Sequence, residues 1–168
     1  YCVPILQPGM YAAALYQPKP IQQLIHHLKY HGYTSVSHRL SELLYSSISW
    51  DDIDIVIPVP LHWRKRLLRG YNQTELLVRD WPVTVLPALK KIKATPSQAK
   101  LNKTDRQKNL LGAFVLQKRY QPMIQDKRIL LVDDVYSTGS TTTSCAAVLL
   151  AAGAAEVAVA VIALNCLP

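Results

Sequence analysis

Cysteine is scarce in this chain, and the three present, Cys2, Cys145 and Cys166, lie far apart or at opposite ends. With no close pair they make neither a disulfide framework nor a metal-ligand set, and they point to a reducing compartment, with the cytoplasm as the expected location. Long apolar runs are missing as well. The most apolar part, Cys145 to Leu164, is interrupted by Gly153 and Glu156, which argues against membrane insertion. No secretory signal is visible. Glycine-rich nucleotide loops are absent: the six glycines are too scattered for G-x-G-x-x-G, and no G-x-x-x-x-G-K-[ST] occurs, so neither a dinucleotide fold nor a P-loop is supported. The chain opens on Tyr1 rather than methionine and reads as a fragment or a processed chain. It contains no internal repeat and no low-complexity tract.

What is present is enough for one well-buried core: 168 residues, 49% of them hydrophobic, form a single expected domain over 1–168, with 1–19 as an N-terminal arm. Charge is unevenly spread. Residues 60–119 hold fourteen Lys and Arg against Glu75, Asp80 and Asp105, so a strongly basic segment sits on a slightly acidic remainder of a chain whose net charge is +8. Such a segment suits a polyanionic partner, phosphates or nucleic acid, although a cluster such as Lys90, Lys91 and Lys93 is equally a solvated face.

Periodicity places the elements. Apolar "MYAAALY" reads as a strand or arm. In "PIQQLIHHLKYHG" the residues Ile21, Leu24, Ile25 and Leu28 fall on one helical face, opened by Pro20 and stopped by Gly32. A second helix, about Val36 to Ser46, uses Val36, Leu40, Leu43 and Leu44. "DIDIVIPVP" is a buried strand ending at Pro58 and Pro60, followed by the loop "LHWRKRLLRGYNQ". Asn72 or Thr74 caps a helix running to about Trp81, and "VTVL" is a candidate strand. Ala88 to Lys108 reads as a mobile loop that orders on binding. "GAFVL" is short and extended, "RILLVDD" a fully buried strand, "STTTSCAAVLLAAG" a helix and "EVAVAVIAL" a last buried strand. Strand, helix and strand in so short a span make a βαβ unit, and continuous apolar strands indicate a parallel sheet with both faces covered. The fold class is therefore α/β. His26, His27, His31 and His38 lie on helices without a carboxylate at ligand spacing and read as structural or exposed.

The chemistry concentrates in "ILLVDDVYSTGST", Ile129 to Thr141. Asp133 and Asp134 stand at the carboxyl end of a parallel strand, the edge where open α/β sheets bind ligands. Val135, Tyr136, Ser137, Thr138, Gly139, Ser140 and Thr141 follow, supplying hydroxyls, backbone N–H groups at a helix N-terminus near Ser140, and a glycine that lets the main chain close around an oxyanion. Taken singly, the acids could just end a strand and the Ser and Thr residues just cap a helix. Two acids followed at fixed offset by Thr-Gly-x-Thr arise by chance in a chain this long roughly once in 10⁴.

That stretch resembles the phosphoribosyl diphosphate motif of type I phosphoribosyltransferases. A second stretch, "IPVPLHWRKRLLRGYNQ", resembles the signature of the ComF/GntX family within that group. "LKYHG" at Leu28 to Gly32 and the discontinuous Gln98, Leu101, Arg106, Asn109, Gly112, Ala113 and Phe114 match the same family. The resemblance implies a parallel-sheet type I phosphoribosyltransferase-like domain with helices on both faces and a flexible flap. It places Asp133 and Asp134 near the ribose hydroxyls and the 5-phosphate in the Val135 to Thr141 loop. Diphosphate falls at Pro60, Leu61, His62, Arg64 and Arg69, where guanidinium forks can bind it, with flap contacts at Gln98, Arg106 and Asn109. His62 is alternatively a turn histidine, Lys65 and Arg66 solvated surface, and Tyr71 core. Mg²⁺ would be carried by the ligand with no direct protein ligands. Zinc is expected only in a missing N-terminal segment of which Cys2 is a remnant. Ser137 departs from the frequent threonine but keeps the hydroxyl.

Three functions follow from the resemblance. ComF-type proteins are linked to natural transformation and the handling of imported single-stranded DNA, for which Arg64, Lys65, Arg66, Lys90, Lys91 and Lys93 are nucleic-acid candidates, alongside DNA-uptake machinery as a partner. Trp50, Trp63 and Trp81 read as core or part-surface residues, Trp63 among its arginines being the one suited to stacking. The alternative is an active phosphoribosyltransferase acting on an unidentified base, with Asp133 and Asp134 stabilising an oxocarbenium-like charge, or a non-catalytic sensor of phosphoribosyl diphosphate.

Overall fold

A computed structural model describes residues 9–17, 19–30, 34–93 and 112–165. The order of elements is β1 (Met10–Leu15), α1 (Lys19–Tyr30), α2 (Thr34–Ser46), β2 (Ile55–Pro58), α3 (Trp63–Arg69), α4 (Gln73–Val78), β3 (Leu89–Lys91), β4 (Phe114–Leu116), a 3₁₀ turn (Lys118–Tyr120), α5 (Gln121–Ile124), β5 (Arg128–Tyr136), α6 (Ser140–Ala151) and β6 (Glu156–Leu164). β1, β6, β5 and β2 form one sheet in that order, parallel throughout. β3 and β4 pair antiparallel beside it.

Strand alternation explains the two cores. On β5, Ile129 and Leu131 face α6, packing with Cys145, Leu149, Phe114 and Ile124, while Leu130 and Val132 face the other way onto Ile25, Leu28, Leu40, Leu44 and Leu77. Both faces are thus covered, which is why β5 and β6 read as unbroken apolar runs. Of the helix stripes, α1 buries Ile25 and Leu28 and α2 buries Leu40 and Leu44, leaving Leu24 and Leu43 at the surface. Trp50 and Trp81 form an aromatic cluster with Tyr45. At the start of β5, Arg128 reaches Asp52 and its backbone N–H donates to Asp54 Oδ2 at 2.8 Å, tying β5 to the turn before β2.

Four sequence expectations are corrected. "LHWRKRLLRGYNQ" is not a loop but contains α3, opened by His62, whose Nδ1 accepts from Arg64 N–H at 3.3 Å, and closed by left-handed Gly70 at φ 80°. None of the α3 side chains is buried, so no apolar period announced it. "VTVL" forms no strand; it makes a single bridge, Val56 to Val85, along the edge of β2, and the prolines on either side stop it extending. Part of the expected mobile loop is ordered as β3, because Leu89 and Lys91 pair with β4. Finally, His38 does have a carboxylate at helical spacing, Glu42 at 3.5 Å, an exposed pair of small energetic weight. Gly32, His31, Cys2, Cys166, Gln98, Leu101, Arg106 and Asn109 lie outside the described residues.

Candidate functional site

β5 runs from its last buried core residue, Val132, on to Tyr136 before the chain turns, and its alternation carries through the acids. Asp133 continues the face of Ile129 and Leu131, toward α6, whereas Asp134 continues the face of Leu130 and Val132, toward α1 and α4. The adjacent carboxylates therefore diverge. Asp133, with Val135 to Thr142, lines a small hollow at the start of α6. There the N-cap is Gly139, left-handed at φ 71° and without a side-chain cap bond, so the first-turn amides of α6 face the hollow and suit an anion. Thr138 and Ser140 share a hydrogen bond at 2.8 Å, and Thr142 Oγ1 donates to Gly139 O at 2.9 Å, which holds the loop closed.

Gly139 meets two demands at once. Its φ is costly for any residue with a Cβ, and the phenol of Tyr136 lies where that Cβ would go, its Cζ 2.7 Å away. Gly139→Ala is expected to lose on the order of 1–3 kcal/mol of stability and to open the loop, read as a lower melting temperature together with weaker phosphate binding. Unchanged values for both would show the loop to be tolerant.

Asp134 is 6% exposed and fully engaged: Lys29 Nζ lies 3.0 Å from Oδ2, and Gln73 Nε2 donates to the same oxygen at 2.9 Å. Burial alone would lower the pKa of Lys29, but the charge and hydrogen bond of Asp134 outweigh it and the net shift is upward. Asp133 goes the other way from an ordinary carboxyl. Burial first, and the charge of Asp134 second, push it up to about 7, against the opposing pull of Asp134 N–H, Lys29 and Lys91. Below it, burial pushes the Cys145 thiol up, so this free cysteine is packing rather than a nucleophile.

β2 lies beside β5 in register, Pro58 opposite Val132, so the loop after β2 emerges at the same sheet edge as the acids. Asn72 Nδ2 and Thr74 Oγ1 both donate to Val59 O, pinning that loop to the N-terminus of α4. Pro60 and Leu61 follow. His62 is buried and acts as the α3 cap, the turn role weighed from sequence. Arg64 stacks on Trp63 at 5.3 Å, Arg66 pairs with Glu75 at 3.0 Å, and Arg69 lies 4.9 Å over the Tyr30 ring while donating to Gln73 Oε1 at 3.0 Å. Tyr71 is half-buried, and its hydroxyl donates to Leu28 O at 2.6 Å. Leu28 to Tyr30 of the first family-like stretch and Arg69 to Gln73 of the second thus meet beside Asp134. Lys29, Tyr30 and Gln73 are the contributors missed from sequence; their only signal was membership of those stretches.

On the far side of the β2 loop a groove of about 940 Å³ opens between α4 and the β3–β4 pair. Arg66, Lys90 and Lys91 line it, as do Arg79 and Arg119, which the sequence reading did not single out, and Trp63, 59% exposed, stands at its wall. Arg64, Lys65 and Lys93 are not among its lining residues. Lys91 lies on the groove wall, its ammonium 5.2 Å over Phe114, and burial first and Lys65 second hold its pKa below that of an ordinary lysine, against the opposing pull of Cys145 and Asp133. Among the described residues no group of three or more His, Cys, Asp or Glu could hold a metal, and no helix is long and apolar enough to cross a membrane.

Comparison with known proteins agrees with this geometry. The chain is 33% identical over 155 residues to the DNA utilization protein YhgH of Shigella flexneri, across 83% of this chain and 65% of that protein. It is 32% identical over 155 residues to competence protein F of Haemophilus influenzae, across 84% and 66%. It therefore spans about two thirds of the length of these relatives. A solved structure, the allosteric regulatory enzyme of purine biosynthesis, superimposes with a TM-score of 0.51 at 18% identity, covering 80% of this chain and 29% of that one, a likeness of fold. The phosphoribosyl transferase domain model matches residues 66–165, well over half the chain, from α3 through β6. The parallel sheet, the loop after β5 and that match together make the chain a member of the phosphoribosyl transferase domain family, with the type I α/β fold.

Proposed function

We propose that the protein binds phosphoribosyl diphosphate with Mg²⁺ and acts in the handling of imported single-stranded DNA during natural transformation, in the cytoplasm. The observation that carries the reading is the juxtaposition of two anion-suited segments at one sheet edge, the turn Ser137 to Thr141 after β5 and Pro60 to Arg69, which includes α3, after β2, with Asp133 beside the first. The 5-phosphate takes the α6 amides and loop hydroxyls, with Val135 and Tyr136 lining the hollow. The ribose hydroxyls donate to Asp133, and Asp134 serves from behind as its fixed neighbour. The diphosphate takes Pro60, Leu61 and His62 as its loop, and Arg64 and Arg69 as its cations. The residues present would suit a metal that arrives already held by its ligand: the diphosphate and ribose would supply its oxygens, with the Asp133 carboxylate nearby and no protein side chain bound to it directly. When bound, Mg²⁺ supplies charge neutralisation of the diphosphate.

The names of the two relatives, and the cationic groove beginning at the β2 loop, support the DNA part of the reading. Bases would stack on Trp63 while Arg66, Lys90 and Lys91 meet phosphates.

Calorimetric titration with phosphoribosyl diphosphate and Mg²⁺ should give saturable binding that chelation of the metal abolishes; no binding to the intact chain would sink the site. Binding of a single-stranded oligonucleotide should fall steeply with salt. Replacing Arg66, Lys90 and Lys91 together with alanine should weaken it and flatten the log–log salt slope by roughly 2. An unaltered slope would leave those side chains as solvated surface.

A further inference from the structure

The two ends of the candidate site are joined through the protein interior. Gln73 is 5% exposed, and its amide is polarised in one direction: Oε1 accepts from Arg69 Nη1 at 3.0 Å, and Nε2 donates to Asp134 Oδ2 at 2.9 Å. Asp134 N–H then donates to Asp133 Oδ1 at 2.8 Å. Three hydrogen bonds therefore link the cation at the β2 loop to the carboxylate of the hollow, the second and third joined through the Asp134 residue itself. Only an amide satisfies the middle position, because it offers an acceptor to the guanidinium and a donor to the carboxylate. The charges on either side fix which way it points. Lys29 holds the Asp134 end, and the Tyr30 ring holds the Arg69 end.

Resting on the phosphoribosyl diphosphate reading above, we infer that Gln73 is a positioning residue that couples the diphosphate end of the site, at Arg69, to the ribose end, at Asp133, so that each half of the ligand tightens binding of the other. A diphosphate that draws the Arg69 guanidinium changes what Gln73 Oε1 accepts. The amide is rigidly shared with Asp134, whose backbone N–H orients Asp133. The middle bond is buried and the outer two half-buried, and a displacement at Arg69 is passed on by the placement of Asp134, whose carboxylate holds one bond and whose backbone N–H makes the next. The coupling is reciprocal by thermodynamic necessity.

The test uses the two halves as probes, ribose 5-phosphate and Mg²⁺-diphosphate, titrated into the full chain each alone and each with the other saturating. In the native protein each half should tighten the other by about tenfold, and in Gln73→Met this factor should fall below about twofold while each half alone still binds. An unchanged factor in Gln73→Met overturns the inference, as does a native factor of one. Equal weakening of both halves at an unchanged factor marks a merely structural residue and overturns it too. Should Gln73→Met fail to fold, the side-chain amide resonances of Gln73 in the native protein decide: each half alone should shift them, and constancy with either overturns the coupling. If neither half nor intact phosphoribosyl diphosphate binds the native chain, the site reading itself falls and this inference with it.

Discussion

Asp133→Asn is expected to weaken phosphoribosyl diphosphate binding on the order of 100-fold at pH 8, the loss of a charge-assisted acceptor for ribose hydroxyls. The same change is expected to stabilise the fold at that pH. The carboxyl of Asp133 sits at about 7, well above its ordinary 3.8, because burial and the neighbouring Asp134 disfavour its charged form. A pKa raised on folding means that the folded state holds the proton more tightly, so the stability it contributes is complete below about pH 4 and lost as pH rises through about 7. The Asn variant has nothing to deprotonate. It should match the native protein near pH 4 and melt higher at pH 8, by an amount on the order of 1–2 kcal/mol or about 3–6 °C. Ligand affinity of the native protein should meanwhile fall as pH drops from 8 to 6, and the variant should lack the part of that fall due to Asp133. Gain of stability with loss of binding is the mark of a residue kept for function. A variant that loses both would show that Asp133 is structural.

Lys29→Met carries the largest expected cost in stability. It removes the cation 3.0 Å from a carboxylate that is 6% exposed, leaving Asp134 buried with Gln73 as its remaining side-chain donor. Breaking a buried pair from one side costs about 3–5 kcal/mol, equivalent to roughly 10 °C in melting temperature for a domain of this size. Replacing both partners, Lys29→Met with Asp134→Asn, removes the stranded charge and should recover most of the loss. The asparagine carbonyl still accepts from Gln73. A double-mutant cycle should therefore show coupling of at least about 2 kcal/mol. A cost under about 1 kcal/mol for Lys29→Met would place the pair in water rather than in the core.

These experiments depend on a division of labour that the adjacent acids conceal. Neighbours in a strand point to opposite faces, so two consecutive aspartates at a strand end cannot serve one ligand in the same way unless the strand has already ended. β5 continues to Tyr136, and the alternation persists through both. Asp133 is left to the hollow. Asp134 becomes the anchor that binds α1 and α4 to the sheet and sets the charge its neighbour experiences.

Local pattern was enough for elements whose signal is carried by their own residues. β6 was readable as Glu156–Leu164 because a strand buried on both faces is apolar at every position, and the start of α6 at Ser140 because Gly139 and the hydroxyls mark the turn. The turn between β5 and α6 was readable for the same reason: its residues are consecutive. α3 was not, since a helix that buries nothing carries no apolar period, and even Leu67 and Leu68 stand 76% and 88% exposed. Nor were the roles of Lys29 and Gln73, which look like ordinary surface residues until their partner 61 positions downstream of Gln73 is known. The amino-acid sequence by itself determined that a parallel α/β domain would present an anion loop beside an acidic pair. Only the tertiary structure decided which acid faces the hollow and what holds the other, because register and topology, not local pattern, bring β2, α1 and α4 against β5 and so set the dielectric and the charges around each carboxylate.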